Sequence, residues 1–179
     1  MKHKAIDVRN YNFTQKDRLF LDANIWLYLY GPQKPRYRWE RIYSNVFKRI
    51  KNAKSKIYID VLVVSEFINT YTHRKMKLVA PRFKNFKNFR KSYHFKPVAK
   101  DITADAKRVT QHCLQIDSGF KTLKIDDLLD DYAKGNSDYN DQVITELCKN
   151  NGYTLITNDR DFRTQEIPIL TANSSLLSI

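Results

Sequence analysis

The sequence predicts an α/β layered fold with a mainly parallel sheet, and three observations carry that prediction. Short apolar runs alternate along the chain with stretches of helical period. Those runs (Leu19–Leu21, Ile57–Ile59, Tyr153–Ile156) are short and rich in aliphatic, β-branched and aromatic residues, as buried strands are. The chain has 179 residues, which suits one domain with a single core.

Residues 1–17 are polar and basic without a dependable period and read as a basic N-terminal arm ahead of a domain over 18–179. Leu19-Phe20-Leu21 reads as a buried strand ending at Asp22. Ile25, Trp26, Leu27 and Tyr30 suit a short helix from Ala23, stopped by Gly31 and Pro32. Trp39, Ile42, Tyr43, Val46, Phe47 and Ile50 recur at helical spacing among arginines and lysines, which gives an amphipathic helix with a basic outer face. Ile57-Tyr58-Ile59 is the second strand, with a helix from Asp60 to about Arg74 behind it. Further helices are expected at about 102–115, 125–134 and 138–150, the last two closed by Gly135 and Gly152. Tyr153–Ile156 is a strand by composition. Ile167-Pro168-Ile169-Leu170 suits a last one, placed at an edge because proline cannot donate to a ladder.

Charge narrows the functions. Lys and Arg number 32 against 19 Asp and Glu, a net +13, while 42% of residues are hydrophobic, too many for a disordered basic tail. The longest clean aliphatic run is Val61–Val64, far short of the roughly 18 apolar residues of a membrane span, so no membrane is expected as partner. Met1-Lys2-His3-Lys4 lacks the apolar stretch of a secretory signal, and Cys113 and Cys148 are too few for a disulfide framework. A cytoplasmic protein whose large partner is a polyanion is the expectation.

Acidic residues fall where parallel sheets bind ligands, beyond the carboxyl ends of the strands. Asp22 follows the first strand and Asp159 follows Tyr153–Thr157. Glu66 lies among Val63, Val64, Phe67 and Ile68, and Asp141 sits in the first turn of the helix leading to the Asp159 strand. Each also has a structural use: Asp22 and Asp159 as caps, Asp138 as an N-cap, Asp141 against a helix dipole. Several carboxylates at one end of a sheet call for a cation, and hard oxygen donors without a His or Cys cluster favour Mg²⁺ or Mn²⁺. In a +13 protein such a site has a simple meaning: the basic surface holds a phosphodiester backbone and the acids hold the metal.

These residues resemble those of PIN-domain ribonucleases, and within them the VapC-type toxins of type II toxin–antitoxin systems. Leu19-Phe20-Leu21-Asp22-Ala23-Asn24-Ile25 is similar to the family's opening strand with Asp–x–Asn, and Val64-Ser65-Glu66-Phe67 to its Ser-Glu helix. Asp141, then Gly152 and the run Thr157-Asn158-Asp159-Arg160-Asp161-Phe162, is similar to the closing signature. The resemblance implies a three-layer PIN-like fold, a central mainly parallel sheet flanked by helices. It further implies a Mg²⁺- or Mn²⁺-dependent endoribonuclease whose catalytic and metal-binding residues are Asp22, Glu66, Asp141 and Asp159. Asn24 and Thr157 would orient them, Asp138 and Asp161 are secondary candidates, and the products would carry a 5′-phosphate and a 3′-hydroxyl. RNA, a cognate antitoxin protein and a second copy of the chain are the partners it suggests.

The segment from Arg74 to Lys100 is the compositional outlier, with ten Lys or Arg and no acid between Glu66 and Asp101. It reads as a basic helical elaboration over about 75–100, outside the family motif. Lys84, Lys87, Arg90 and Lys91 are the candidate RNA-binding cations, though an antitoxin's acidic residues would suit them too. Phe83, Phe86, Phe89 and Tyr93, spaced by three, three and four, are better explained as one apolar helix face on the core. Two other functions fit the same features: a catalytically silent RNA-binding module of an RNA-processing complex, and a structure-specific DNA nuclease.

Overall fold

The computed structural model describes residues 5–32, 38–135 and 137–178. Among them a six-stranded sheet forms, parallel at every pairing, in the spatial order β1-β6-β5-β2-β3-β4. Its strands are β1 (Ile6–Asp7), β2 (Arg18–Leu21), β3 (Lys56–Ile59), β4 (Leu114–Gln115), β5 (Thr154–Ile156) and β6 (Ile169–Thr171). Leu19, Phe20, Leu21, Leu155 and Ile156 are all buried, as strands covered on both faces require.

The helices are α1 (Ala23–Tyr30), α2 (Arg38–Ala53), α3 (Val61–Val79), α4 (Phe86–Arg90), α5 (Phe95–Gln111), α6 (Ile125–Ala133), α7 (Tyr139–Asn151) and α8 (Ser174–Leu177). From β2 the chain steps outward to β3 and β4, then returns to lay β5 on the other side of β2. Right-handed crossovers therefore put α1 to α5 on one face and α6 with α7 on the other, the three layers expected. The reversal makes the gap between β2 and β5 a topological switch point. Gly31 ends α1 for lack of space: a Cβ there would lie 2.5 Å from the Leu27 carbonyl oxygen. Gly152 ends α7 through a left-handed φ of +64°.

Three expectations are corrected. Residues 5–17 are no detached arm: Ile6 and Asp7 pair with β6, Val8 and Phe13 are buried, and Arg49 donates to the carbonyls of Val8 (3.3 Å) and Arg9 (2.8 Å). A two-residue strand shows no period, so only its tertiary bonds reveal it; the rest of the expected arm, residues 1–4, lies outside the described residues. Consequently β6 is an interior strand. Pro168 precedes it and serves the ladder with its carbonyl, which accepts from the Leu155 amide at 2.9 Å. The helix expected at 102–115 begins instead at Phe95, since Pro97 stands in the first turn, where its missing N–H costs nothing. Leu114 and Gln115 leave that helix to form β4 on β3.

The basic segment is helical only in pieces, with α4 a short turn between the ends of α3 and α5. Phe89 is fully buried, with Phe83 and Phe86 partly buried against the core, whereas Tyr93 is 77% exposed. Phe89 meets Phe83 and Phe95 edge-on, at centroid distances of 6.0 and 5.7 Å. Three of the four aromatics therefore pack as core side chains, without the single helix face their spacing suggested. Lys84, Lys87, Arg90 and Lys91 are all exposed.

Candidate active site

The switch point gathers the polar residues of the core. Register pairs Leu21 with Ile156, so Asp22 and the Thr157–Asp159 turn leave the sheet side by side. Asp22 occupies the N-cap position of α1, yet its side chain makes no capping bond within the helix. Its Oδ2 instead accepts from the Thr157 hydroxyl at 2.6 Å and from the Asn24 amide. Asn24 donates to the Thr157 Oγ1 at 3.2 Å, and the same oxygen accepts from the Asp159 amide at 3.0 Å. Thr157 is wholly buried and Asp22 is 4% exposed. The orientation of this carboxylate is thus fixed by two hydrogen bonds from different elements.

Glu66, one turn into α3, and Asp141, in the first turn of α7, are half-buried around the same space. Burial raises the pKa of all three carboxyls. Asp22 stands at about 6, held down somewhat by the Thr157 hydrogen bond and pushed up by Asp159. Glu66 rises to about 7, with Asp22, Asp138 and Asp159 adding repulsion. Asp141 rises to about 8, with Asp22, Asp159, Asp138 and Glu66 all adding to it. The charges acting on each acid are the other acids, which joins residues from four separate stretches of chain.

Asp138 caps α7, accepting from the Asn140 amide at 2.8 Å, while its charge reaches Glu66 and Asp141. Asp159 caps the 3-10 turn Arg160–Thr164 through the Asp161 amide. Structural use and proximity to the other acids therefore coincide at these two residues. Asp161 does not join the cluster: its side chain is 61% exposed and faces Arg160 at 3.8 Å. Asp60, at the end of β3, is the second buried carboxylate at this end of the sheet, beside Asp22; it caps α3 through the Val63 amide at 3.0 Å. It does not figure among the charges acting on the other acids.

Asn158 is the residue that the sequence reading underused. Its side chain accepts from the Tyr43 hydroxyl at 3.0 Å and donates to Tyr28 at 3.3 Å. Its amide donates to Asn24 at 3.3 Å, and its carbonyl accepts from Asn173 at 2.9 Å. The Tyr43 hydroxyl accepts in turn from the Ala172 amide at 3.1 Å, and burial pushes its pKa up to about 12, keeping it a neutral phenol. The turn carrying Thr157 and Asp159 is thereby pinned to α1, α2 and the end of β6. Tyr43 had looked like one more apolar residue of α2, because its polar tip has meaning only once β5 lies beneath it.

A model of the PIN domain matches residues 19–167, most of the chain. The chain belongs to the PIN-domain family. Among curated proteins none matches closely enough in sequence to add to that finding. PIN domains are in general metal-dependent nucleases that act on nucleic acids. Among the described residues no helix is long and apolar enough to cross a membrane. The carboxylates of this PIN domain fit a hard divalent cation by their chemistry: oxygen donors only, with repulsion that a cation would relieve. They do not form a closed cage, since among the described residues no three His, Cys, Asp or Glu side chains stand together as a ready ligand set.

Proposed function

We propose that this PIN domain is a Mg²⁺- or Mn²⁺-dependent single-strand RNA endonuclease, the toxin of a toxin–antitoxin pair acting in the cytoplasm. The observation that carries the reading is the set of Asp22, Glu66 and Asp141, each pushed up by burial with Asp159 adding repulsion to all three, inside a protein of charge +13. Partly buried carboxylates that repel one another are costly to keep unless a cation and an anionic substrate meet there. A divalent ion bound by these four acids would supply the positive charge that keeps them ionised and offsets the scissile phosphate.

The chain's own residues do the rest. Thr157 and Asn24 hold one oxygen of Asp22, so its second oxygen keeps a fixed direction. Asp141 and Glu66, whose carboxyls burial and the neighbouring acids push up without metal, are the groups whose ionisation a bound cation would favour most. Lys84, Lys87, Arg90 and Lys91, exposed on and beside α4, are available to RNA or to the acidic residues of an antitoxin. A homodimer is part of the same proposal.

The test is cleavage of a mixed tRNA and mRNA pool by purified protein with Mn²⁺, Mg²⁺ or chelator, beside Asp22→Asn. Metal-dependent products absent from the variant are expected. Salt-sensitive RNA binding that never yields product would instead make the chain a silent binding module, and cleavage of flap DNA alone a DNA nuclease. Growth arrest on expressing the wild-type chain, relieved in Asp22→Asn, is the expected mark of the toxin.

A further inference from the structure

A cleft of about 670 Å³ opens between α1, α2 and α3, within the size range of ligand sites. Tyr28 and Trp39 line it with Arg74 and Lys77, and Glu40 and Leu78 complete much of the wall. Tyr28 links it to the turn that carries Asp159. Tyr28 lies one helical turn beyond Asn24 on α1, its hydroxyl accepts from Asn158, and the charges of Arg74, Asp159 and Asp22 all act on it. The Tyr28 ring is also stacked on buried Tyr43, centroids 5.6 Å apart and planes within 7°, which makes it a rigid wall.

The charges have no internal explanation. Among the described residues neither Arg74 nor Lys77 has an ion-pair partner within 4 Å, although the neighbouring Lys75 is paired with Asp101 at 3.2 Å. Glu40 is in the first turn of α2, where the helix dipole answers its charge, so it needs neither cation. Helical rise puts Arg74 and Lys77 about 12 and 16 Å along α3 from Glu66, too far for the reacting phosphate but suited to its neighbours in the strand. Trp39 is partly buried, and the Arg38 guanidinium lies 5.3 Å from its ring centre, adding a cation at the rim.

We propose that this cleft seats an unpaired nucleotide flanking the scissile bond, its base against Trp39 and Tyr28 and its phosphates on Arg74 and Lys77. Aromatic walls beside cations are what an unpaired base with its backbone needs, and every base has a face to stack. The proposal rests on the nuclease reading for its substrate, yet binding can be read without cleavage.

The experiment titrates an unstructured single-stranded RNA of mixed sequence into the full chain in chelator, following tryptophan emission and anisotropy of a label on the RNA. Trp26 is wholly buried, so the response reports Trp39. Quenching is expected, and it should vanish in Trp39→Phe. Trp39→Ala should weaken binding between about 5-fold and 100-fold. Arg74→Ala with Lys77→Ala, both at exposed positions and so safe for folding, should lower the salt slope by roughly 2 × 0.7 = 1.4. Lys121→Ala with Lys124→Ala, the same charge change away from the cleft, should leave most of that slope in place. No quenching, or an equal loss in the control pair, overturns the proposal. So does quenching by polyglutamate with none by RNA, which would give the cleft to an acidic protein. A wild-type chain that shows the quenching but never cleaves with Mn²⁺ would overturn the nuclease reading and leave the cleft standing.

Discussion

The carboxyl end of the sheet and the basic segment from Arg74 to Lys100 both concentrate charge, and they handle it in opposite ways. Asp22 is buried, its carboxylate fixed by Thr157 and Asn24 and repelled by its neighbours. The cations Lys84, Lys87, Arg90 and Lys91 are exposed and, among the described residues, none makes an ion pair. Buried charge must be arranged, because each misplaced group costs desolvation energy that nothing returns. Exposed charge needs no arrangement, because water solvates it wherever it points. The first region therefore suits the proposed chemistry and the second the attraction of a polyanion.

That contrast can be broken most severely by exchanging the two outcomes. Asp141→Asn should lower kcat on RNA by on the order of 10³-fold, since several kcal/mol of charge stabilisation are at stake, with RNA affinity in chelator retained. The fourfold change of Lys84, Lys87, Arg90 and Lys91 to Ala should do the reverse. Its salt slope should drop by roughly 4 × 0.7 = 2.8 while kcat at saturating RNA holds. A binding isotherm and a saturation curve on each protein decide it.

A smaller effect sharpens the role of the fixed carboxylate. Thr157→Val removes the hydroxyl from Asp22 at nearly constant volume and should cost 10-fold to 100-fold in activity or metal affinity, as loss of a supporting hydrogen bond does elsewhere. Thr157→Ser should restore most of it. A merely structural hydroxyl would change the melting temperature alone and leave metal titrations unmoved.

Smallest is the effect on stability. Asp22, Glu66 and Asp141 have folded pKa values above those of the unfolded chain, so between about pH 4 and 8 the native state binds more protons than the unfolded one. Without metal, these three groups should therefore make stability fall as the pH rises from about 4, with the loss complete by about pH 8. Asp141→Asn removes part of that loss. With solvent screening of a half-exposed group allowed for, it should be worth about 1 kcal/mol at pH 8, or ~2–4 °C in Tm. Melting in chelator at pH 5 and pH 8 measures it, and added Mn²⁺ should raise the wild-type Tm more at pH 8.

What the amino-acid sequence determined by itself was local. Helices α1, α6 and α7 have apolar periods and clear stop signals, and β2, β3 and β5 are largely apolar runs, so their places needed no tertiary context; α3 was legible in its start but runs to Val79, past the end expected near Arg74. The acids after β2 and β5 were legible for the same reason, since a short polar stretch after a buried strand marks its carboxyl end. The two-residue β1, the short β4 and the interior position of β6 were not legible, because their hydrogen bonds run to residues distant in sequence. Nor could spacing separate Phe89, buried against Phe83 and Phe95, from Tyr93, which stands in solvent. Tertiary structure alone decided that Asn158 and Tyr43 pin the turn carrying Thr157 and Asp159, and that Asp161 stands apart while Asp138 comes near. It also set Arg74 and Lys77 beside Trp39. A side chain's period tells which way it faces along its own helix; what it meets there depends on a partner element that the period does not encode.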